Sequence, residues 1–284
     1  MVYREIQNLL TGMPAEDGAG VKLSRIIANP MLSHVDPVLL LDEFKSENPE
    51  DYIAGFPPHP HRGFETITYM KQGNFRHQDS AGNTGHLGPG SVQWMTAGRG
   101  IIHSEMPAMQ DGMLWGFQLW LNLPAQLKMT EPRYQDIESG RIPVVKLPNN
   151  QGQVKVLAGF FGDTKGAGQS RTPFTYWDVE LEPNANLTAE FPANWNVFIY
   201  AYAGDLQTGN PEQPEHARSG QLAVYRAGTT LYLQAGEQGC GLLCVAAEPL
   251  GEAIARSGPF VMNTRDEIMQ AYEDYQSGRL AAGL

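Results

Sequence analysis

Short apolar runs broken by turn residues constrain this chain more than any other feature. VKLSRII, PVLLLDEF, FETITYM, SVQWM, MLWGFQLWLNL, VKVLAGFF, TYWDVELE, NVFIYAYAGD, QLAVYRAG, TTLYLQAG and GLLCVAAE are mostly rich in β-branched and aromatic residues. Gly-Asp, Ala-Gly and Pro-Gly steps fall where hairpin turns belong. The 31 glycines and 20 prolines are spread through the chain rather than pooled in linkers. Such spacing predicts an all-β protein of barrels or sandwiches. A length of 284 residues, 42% of them hydrophobic, suffices for one large core or two ordinary ones.

A faint duplication favours two. KQGNFRHQDSAGNTGHLGPGSVQWMTAGRG and the later YAYAGDLQTG…HARSGQLAVYRAGTTLYLQAG share a strand–Gly–strand layout. A strand ends at Gly73 in the first and Gly204 in the second, and another begins after residues 88–90 or 219–220. LPAQLKMTEPRYQDIESGRIPVV has Pro, polar residues and little periodicity, and reads as the crossover between them. The division is placed near Gly140, giving residues 1–140 as an N-terminal metal-binding barrel and 141–284 as a C-terminal, metal-free barrel. The C-terminal barrel ends in a short helix. Thr264 and Glu267 fit a capping box there, and Ile268, Ala271, Tyr272 and Tyr275 form an amphipathic stripe closed by Gly278. The stripe is read as packing rather than ligand contact.

The net charge of −11 argues against direct binding to nucleic acid or anionic membranes, where Lys and Arg must face phosphates. It leaves room for a basic protein partner. No stretch approaches the ~18 uninterrupted apolar residues of a transmembrane helix, and the first twenty residues lack a signal-peptide pattern. A cytoplasmic monomer is expected. Cys240 and Cys244, in the strand-like GCGLLCVAAEP, would stand ~13 Å apart in extended backbone, beyond disulfide reach. They are read as small buried hydrophobes. The other reading is a sulfur redox switch.

Chemistry concentrates in two motifs. His59 and His61 in PPHPHRGFET have i, i+2 spacing, as do His103 and Glu105 in AGRGIIHSEMP. Residues i and i+2 of a strand leave the same face with Cα atoms ~6.6 Å apart. Two neighbouring strands can then aim three imidazoles and a carboxylate at one interior point. That donor set suits one divalent transition metal: iron, manganese, nickel, copper or zinc. On an octahedral ion it leaves two cis positions open, whereas a structural zinc site would more often use Cys and close at four ligands.

Other candidates have plainer readings. His77 and Asp79 lie in a Gly/Asn/Ser-rich hairpin stretch, where Asp79 and Ser80 are expected to bond turn backbone; a place at the cavity rim is the alternative. His34 and His86 lack a partner at ligand spacing, and His216 lies in a polar stretch of the second half. Phe56, Trp94 and Met95 flank the motifs and are read as pocket lining or ordinary core. Gly98-Arg99-Gly100 has no strand–helix context and is not a phosphate loop.

PPHPHRGFETITYMKQGNFRHQDSAGNTGHLGPGSVQWMTAGRGIIHSEMP resembles the core segment of pirin-like proteins of the cupin superfamily. DPVLLLDEF and GPFVMNTRDEIMQAYEDYQSGRL resemble the family's terminal signatures, so the likeness covers nearly the whole chain. It implies two tandem cupin β-barrels (double-stranded β-helices), the first holding one metal, commonly Fe(II), on His59, His61, His103 and Glu105. Many cupins take their carboxylate four residues after H-x-H, where Glu65 stands here. The pirin pattern takes it at Glu105, leaving Glu65 as a supporting group paired with Arg62, with direct coordination by Glu65 as the alternative. The resemblance further implies a dioxygenase opening flavonols such as quercetin with O2, with Glu105 also taking the substrate proton. A second implied role is an iron- or redox-responsive module that modulates a transcription regulator or enzyme partner. A metal-dependent isomerase or hydrolase is a third, since cupins host many chemistries.

Overall fold

The computed structural model describes residues 2–282. The chain divides into two compact units. One holds the residues up to Gly12 with Gly140–Pro249; the other holds Met13–Ser139 with the chain from Leu250 onward. A single division at 140 differs from this at both ends. Strand β1 (Ile6–Thr11) pairs with Gln221–Tyr225, and the segment after Leu250 packs with the metal-motif unit. Periodicity reports that a terminal segment is a strand, but not which open sheet edge it will cover.

In the metal-motif unit the strands are β2 (Met13–Asp17), β3 (Val21–Ile27), β4 (Val38–Ser46), β5 (Phe56–His61), β6 (Phe64–Gln72) and β7 (Phe75–Asp79). β8 (Thr84–Leu87), β9 (Val92–Thr96), β10 (Ile101–Pro107), β11 (Leu114–Asn122) and β12 (Arg133–Ile137) follow. One sheet runs β12-β9-β6-β11-β4-β3-β2 and the other β5-β10-β7-β8. β12 comes from the stretch read as a crossover, and it pairs with β9 over its full length. Side chains of both sheets meet inside, as Thr68 of β6 and Glu105 of β10 do. β10 alternates strictly, burying Ile101, His103 and Glu105.

Three prolines in β5 fit because it is the edge strand of its sheet, with one side free of ladder bonds. Gly63 follows at φ +92°, and a Cβ there would lie 1.9 Å from the Val261 carbonyl oxygen, so the corner after His61 admits only glycine.

The other unit contains β13 (Val144–Lys146), β14 (Gly152–Ala158), β15 (Phe160–Phe161), β16 (Thr164–Lys165), β17 (Phe174–Leu181) and β18 (Asn186–Glu190). β19 (Asn196–Asn210), β20 (Gln213–Arg218), β21 (Gln221–Tyr225) and β22 (Thr230–Ala247) complete it. Its main sheet runs β1-β21-β19-β22-β17-β14-β13. The duplication is visible in the pairings: β6 pairs with β9, and β19 pairs with β21 at the corresponding place. Gly73 and Gly204 have φ of +84° and +67°; Gly90 and Gly220, before β9 and β21, have +76° and +85°. The interior is an apolar cluster that includes Val154, Val179, Ile199, Leu206, Leu233 and Leu242. Cys240 and Cys244 belong to that cluster as free thiols, and burial pushes both up to about 12, so they behave as hydrophobes. His216 is exposed on β20.

β23 (Ala255–Ser257) and β24 (Phe260–Met262) form a hairpin, followed by helix α1 (Arg265–Gln276). Thr264 and Glu267 close the capping box on α1. Ile268 and Ala271 are buried with Phe260, Met262 and Leu280 as the stripe predicts, while Tyr275 stays exposed. No helix among the described residues is long and apolar enough to cross a membrane.

Candidate metal centre

β5 and β10 are antiparallel neighbours, with His103 opposite His59 and Ile101 opposite His61. One ring nitrogen from each of His59, His61 and His103 falls within 4.8 Å of the others. Their ring centroids are 4.5 to 5.1 Å apart.

The protonation pattern suits a cation. His59 Nδ1 lies 2.8 Å from the Pro57 carbonyl oxygen and His61 Nδ1 3.3 Å from that of Pro259. A carbonyl only accepts, so Nδ1 donates in both rings and Nε2 is the nitrogen left for a metal. His103 is buried, and neither of its ring nitrogens has a hydrogen-bond partner. A buried imidazole left this way is costly unless an unshown group occupies the gap, and a metal ion fits these residues. Burial, and then the neighbouring imidazoles, hold His61 and His103 well below the ordinary imidazole value, keeping them neutral as a ligand must be.

Glu105 lies in the same cavity wall but outside the converging set of three. The β5–β10 register shifts between His103 and Glu105, where Glu105 faces Phe56; the extra residue lies in β5, so β10 stays regular and Glu105 leaves the same strand face as His103. Glu105 Oε1 is 2.8 Å from Thr68 Oγ1, which lies 2.6 Å from Gln118 Oε1. A hydroxyl has one proton. With the Gln118 amide turned so that its NH2 donates to Thr68, the hydroxyl is free to donate to Glu105. Burial raises the Glu105 carboxyl above its ordinary range, and the Thr68 bond opposes this.

A cavity of about 580 Å³ opens beside His59, His61 and Glu105. Leu23, Leu40, Phe44, Phe56 and Trp120 supply its apolar lining. Trp120 packs on His61 at 5.2 Å and on Phe64 at 4.4 Å, fixing the His61 ring from the side. Phe56 lines the cavity as the sequence suggests. Trp94 and Met95 do not; both are wholly buried in β9. Glu65 is buried and accepts from Thr96 Oγ1 at 2.6 Å. The Arg62 guanidinium pairs with Asp274 at 2.9 Å and donates to the Arg99 carbonyl.

Asp79 does what turn chemistry predicts, accepting from the amides of Ala81 at 2.9 Å and Asn83 at 2.8 Å. His77 does not lie in a loop. It is a buried residue of β7 directly opposite Glu105, with Nε2 3.1 Å from Asp136 Oδ2 and its ring stacked on Tyr134 at 5.2 Å. Gly85 makes room for that pair, since a Cβ there would lie 1.9 Å from His77 Nε2. The strand alternation Phe75, His77, Asp79 carries this signal, masked by the turn residues that follow. Arg256 and Pro259 also line the cavity, from the β23–β24 hairpin. No sequence spacing connects them to the histidine motifs. His34 and His86 are exposed.

Two barrels in one chain, one carrying convergent imidazoles in its interior, define a bicupin. A family model described as pirin matches residues 20–121, and one described as the pirin C-terminal cupin domain matches 176–281. The chain belongs to the pirin family. It is 46% identical, over 98% of its own length and 99% of the relative's, to a Pseudomonas aeruginosa protein named "Putative quercetin 2,3-dioxygenase". It is 40% identical to human pirin over 93% of this chain and 89% of that one. A crystal structure of quercetin 2,3-dioxygenase from Acinetobacter baumannii superposes with a TM-score of 0.91 at 31% identity, covering 99% of both chains.

Proposed function

We propose that this protein is a metal-dependent dioxygenase that opens the central ring of flavonol-type substrates with O2. The observation that carries it is the convergent trio of half-buried His59 and buried His61 and His103, with two unpartnered nitrogens on His103, at the side of a cavity lined by aromatic residues. The names of the Pseudomonas and Acinetobacter relatives support the same activity.

In this reading the three imidazoles and Glu105 hold one divalent ion, commonly Fe(II). An ion held there would supply Lewis acidity for the oxygenation. The residues of the chain do the rest. Phe44, Phe56 and Trp120 hold a flat polyphenol and exclude water. Glu105 takes the proton of the substrate's 3-hydroxyl, a role that suits a carboxyl raised by burial. Thr68 orients the Glu105 carboxylate through its bond to Oε1. Overall, one flavonol and one O2 give one ring-opened ester and one CO, with both oxygen atoms retained in the products.

The test is loss of quercetin absorbance with matching O2 uptake, on protein of measured metal content. His61→Ala is expected to abolish metal retention and turnover together, and His216→Ala, exposed in the other unit, to change neither. Absence of turnover with Fe(II), Mn(II), Ni(II) and Cu(II) each loaded to one ion per chain would reject the dioxygenase and leave the binding-module role.

A further inference from the structure

The cavity wall carries two arginines with different fates. Arg25 is neutralised: its Nε and Nη2 bond both oxygens of buried Asp42 at 3.1 and 2.8 Å, and Nη2 also reaches Asp17 at 2.7 Å. Arg256, on β23, donates from Nη1 to the Leu39 carbonyl at 3.1 Å. Its guanidinium carbon lies 4.8 Å from the Trp120 ring centroid. Among the described residues no carboxylate pairs with it within 4.0 Å. Asp42 and Asp17 act on it only through space, and Arg25 opposes them.

Arg256 is therefore a cation held over an indole, with donors left for an incoming group. Leu39 uses one of the five N–H bonds that a guanidinium offers. Trp120 is also the ring that packs on His61, 5.2 Å away. One indole thus spaces the imidazole cluster from the free cation, and all three line one cavity. A neutral polyphenol would leave this charge unanswered.

We propose that Arg256 is an anion-recognition residue and that the cavity takes a hydroxylated aromatic carboxylate. The ligand's carboxylate meets the guanidinium fork at the mouth, and its ring hydroxyls face His59, His61 and Glu105. Arg suits this because its planar fork binds both oxygens of a carboxylate. The proposal rests on the cavity being the substrate site of the metal centre. It adds hydroxylated aromatic carboxylates to the flavonols as ligands of that cavity.

Binding, without turnover, tests it. Full-length Mn(II)-loaded protein is titrated anaerobically with 3,4-dihydroxybenzoate and with its neutral isostere 3,4-dihydroxybenzamide, by calorimetry and by quenching of tryptophan fluorescence. Wild type is expected to bind the benzoate at least ten-fold more tightly, a difference of about 1.4 kcal/mol. Arg256→Gln is expected to erase that preference, and Arg256→Lys to keep part of it, because a lysine retains the charge but not the fork. A purely structural Arg256 would shift both affinities together. Equal affinities in wild type, or an undiminished preference in Arg256→Gln with metal content unchanged, overturn the proposal. Because no O2 is used, a protein inactive on quercetin still gives a full answer: the preference can stand while the dioxygenase reading falls, and the reverse.

Discussion

Replacing Lys128 with Met asks whether one buried charge holds the corner behind His61. Lys128 is 1% exposed. Its Nζ donates to the carbonyls of Gly63 at 2.7 Å and Val261 at 3.0 Å, and to Asn122 Oδ1 at 2.7 Å. Methionine keeps most of the stem and donates nothing. Asn122 can turn its amide, but the two carbonyls belong to fixed backbone. Each buried acceptor left without this donor costs about 1–3 kcal/mol. Relief from burying an ammonium, whose pKa is pushed down to about 8 by that burial, offsets part of the loss. The expected net destabilisation is about 2–4 kcal/mol, a fall in Tm of roughly 5–15 °C for a unit of this size. Scanning calorimetry of apo and metal-loaded protein at pH 7 measures it. Because Val261 follows Pro259, whose carbonyl orients His61, metal affinity is expected to fall as well. A loss below about 0.5 kcal/mol would refute the reasoning, since it would mean that desolvation cancels all three bonds.

Chelator-treated protein should be acid-labile. Burial holds His61 and His103 well below 6.5 in the folded chain, so from about pH 6.5 downward the unfolded chain binds protons that the folded chain does not. Stability is then full above 6.5 and falls as pH drops, by up to ~2.7 kcal/mol per pH unit when both sites contribute; urea midpoints between pH 7.5 and 5 check this, and a flat profile contradicts it. Gly63→Ala should cost at least ~2 kcal/mol, because the new Cβ meets the Val261 carbonyl oxygen at 1.9 Å from a left-handed backbone; chemical denaturation reads the loss. Leu242→Ala, at a fully buried position of the other unit, should lower stability by about 2–5 kcal/mol, and a change under 1 kcal/mol would mean that its core is not close-packed.

Strand alternation made much of the site legible. H-x-H and H-x-E place side chains on one strand face whatever surrounds them, so the convergence of His59, His61 and His103 follows from local geometry once β5 and β10 pair. Alternation also puts Glu105 on the face of His103, but the extra residue in β5 sets Glu105 opposite Phe56 rather than opposite a histidine, and spacing within β10 does not report that. His77 looked like turn chemistry because Asp79, two residues on, truly is turn chemistry. Trp94 and Met95 sit in sequence near the motifs, yet β9 lies in the other sheet and buries both. Lys128, Arg256 and Pro259 had no local pattern at all. Their roles come from where the chain from Leu250 onward docks, a long-range choice that hydrophobic period does not encode.

That docking sets an order of events in the cell. The three imidazoles leave the ribosome early, but the carbonyl that fixes the His61 tautomer sits in the β23–β24 hairpin, made only after the other unit has been translated. A nascent chain stalled before Pro259 therefore lacks the carbonyl that turns the His61 ring. The orientation of the His61 ring is therefore a late product of synthesis, completed only when the β23–β24 hairpin reaches the strand that carries the imidazole.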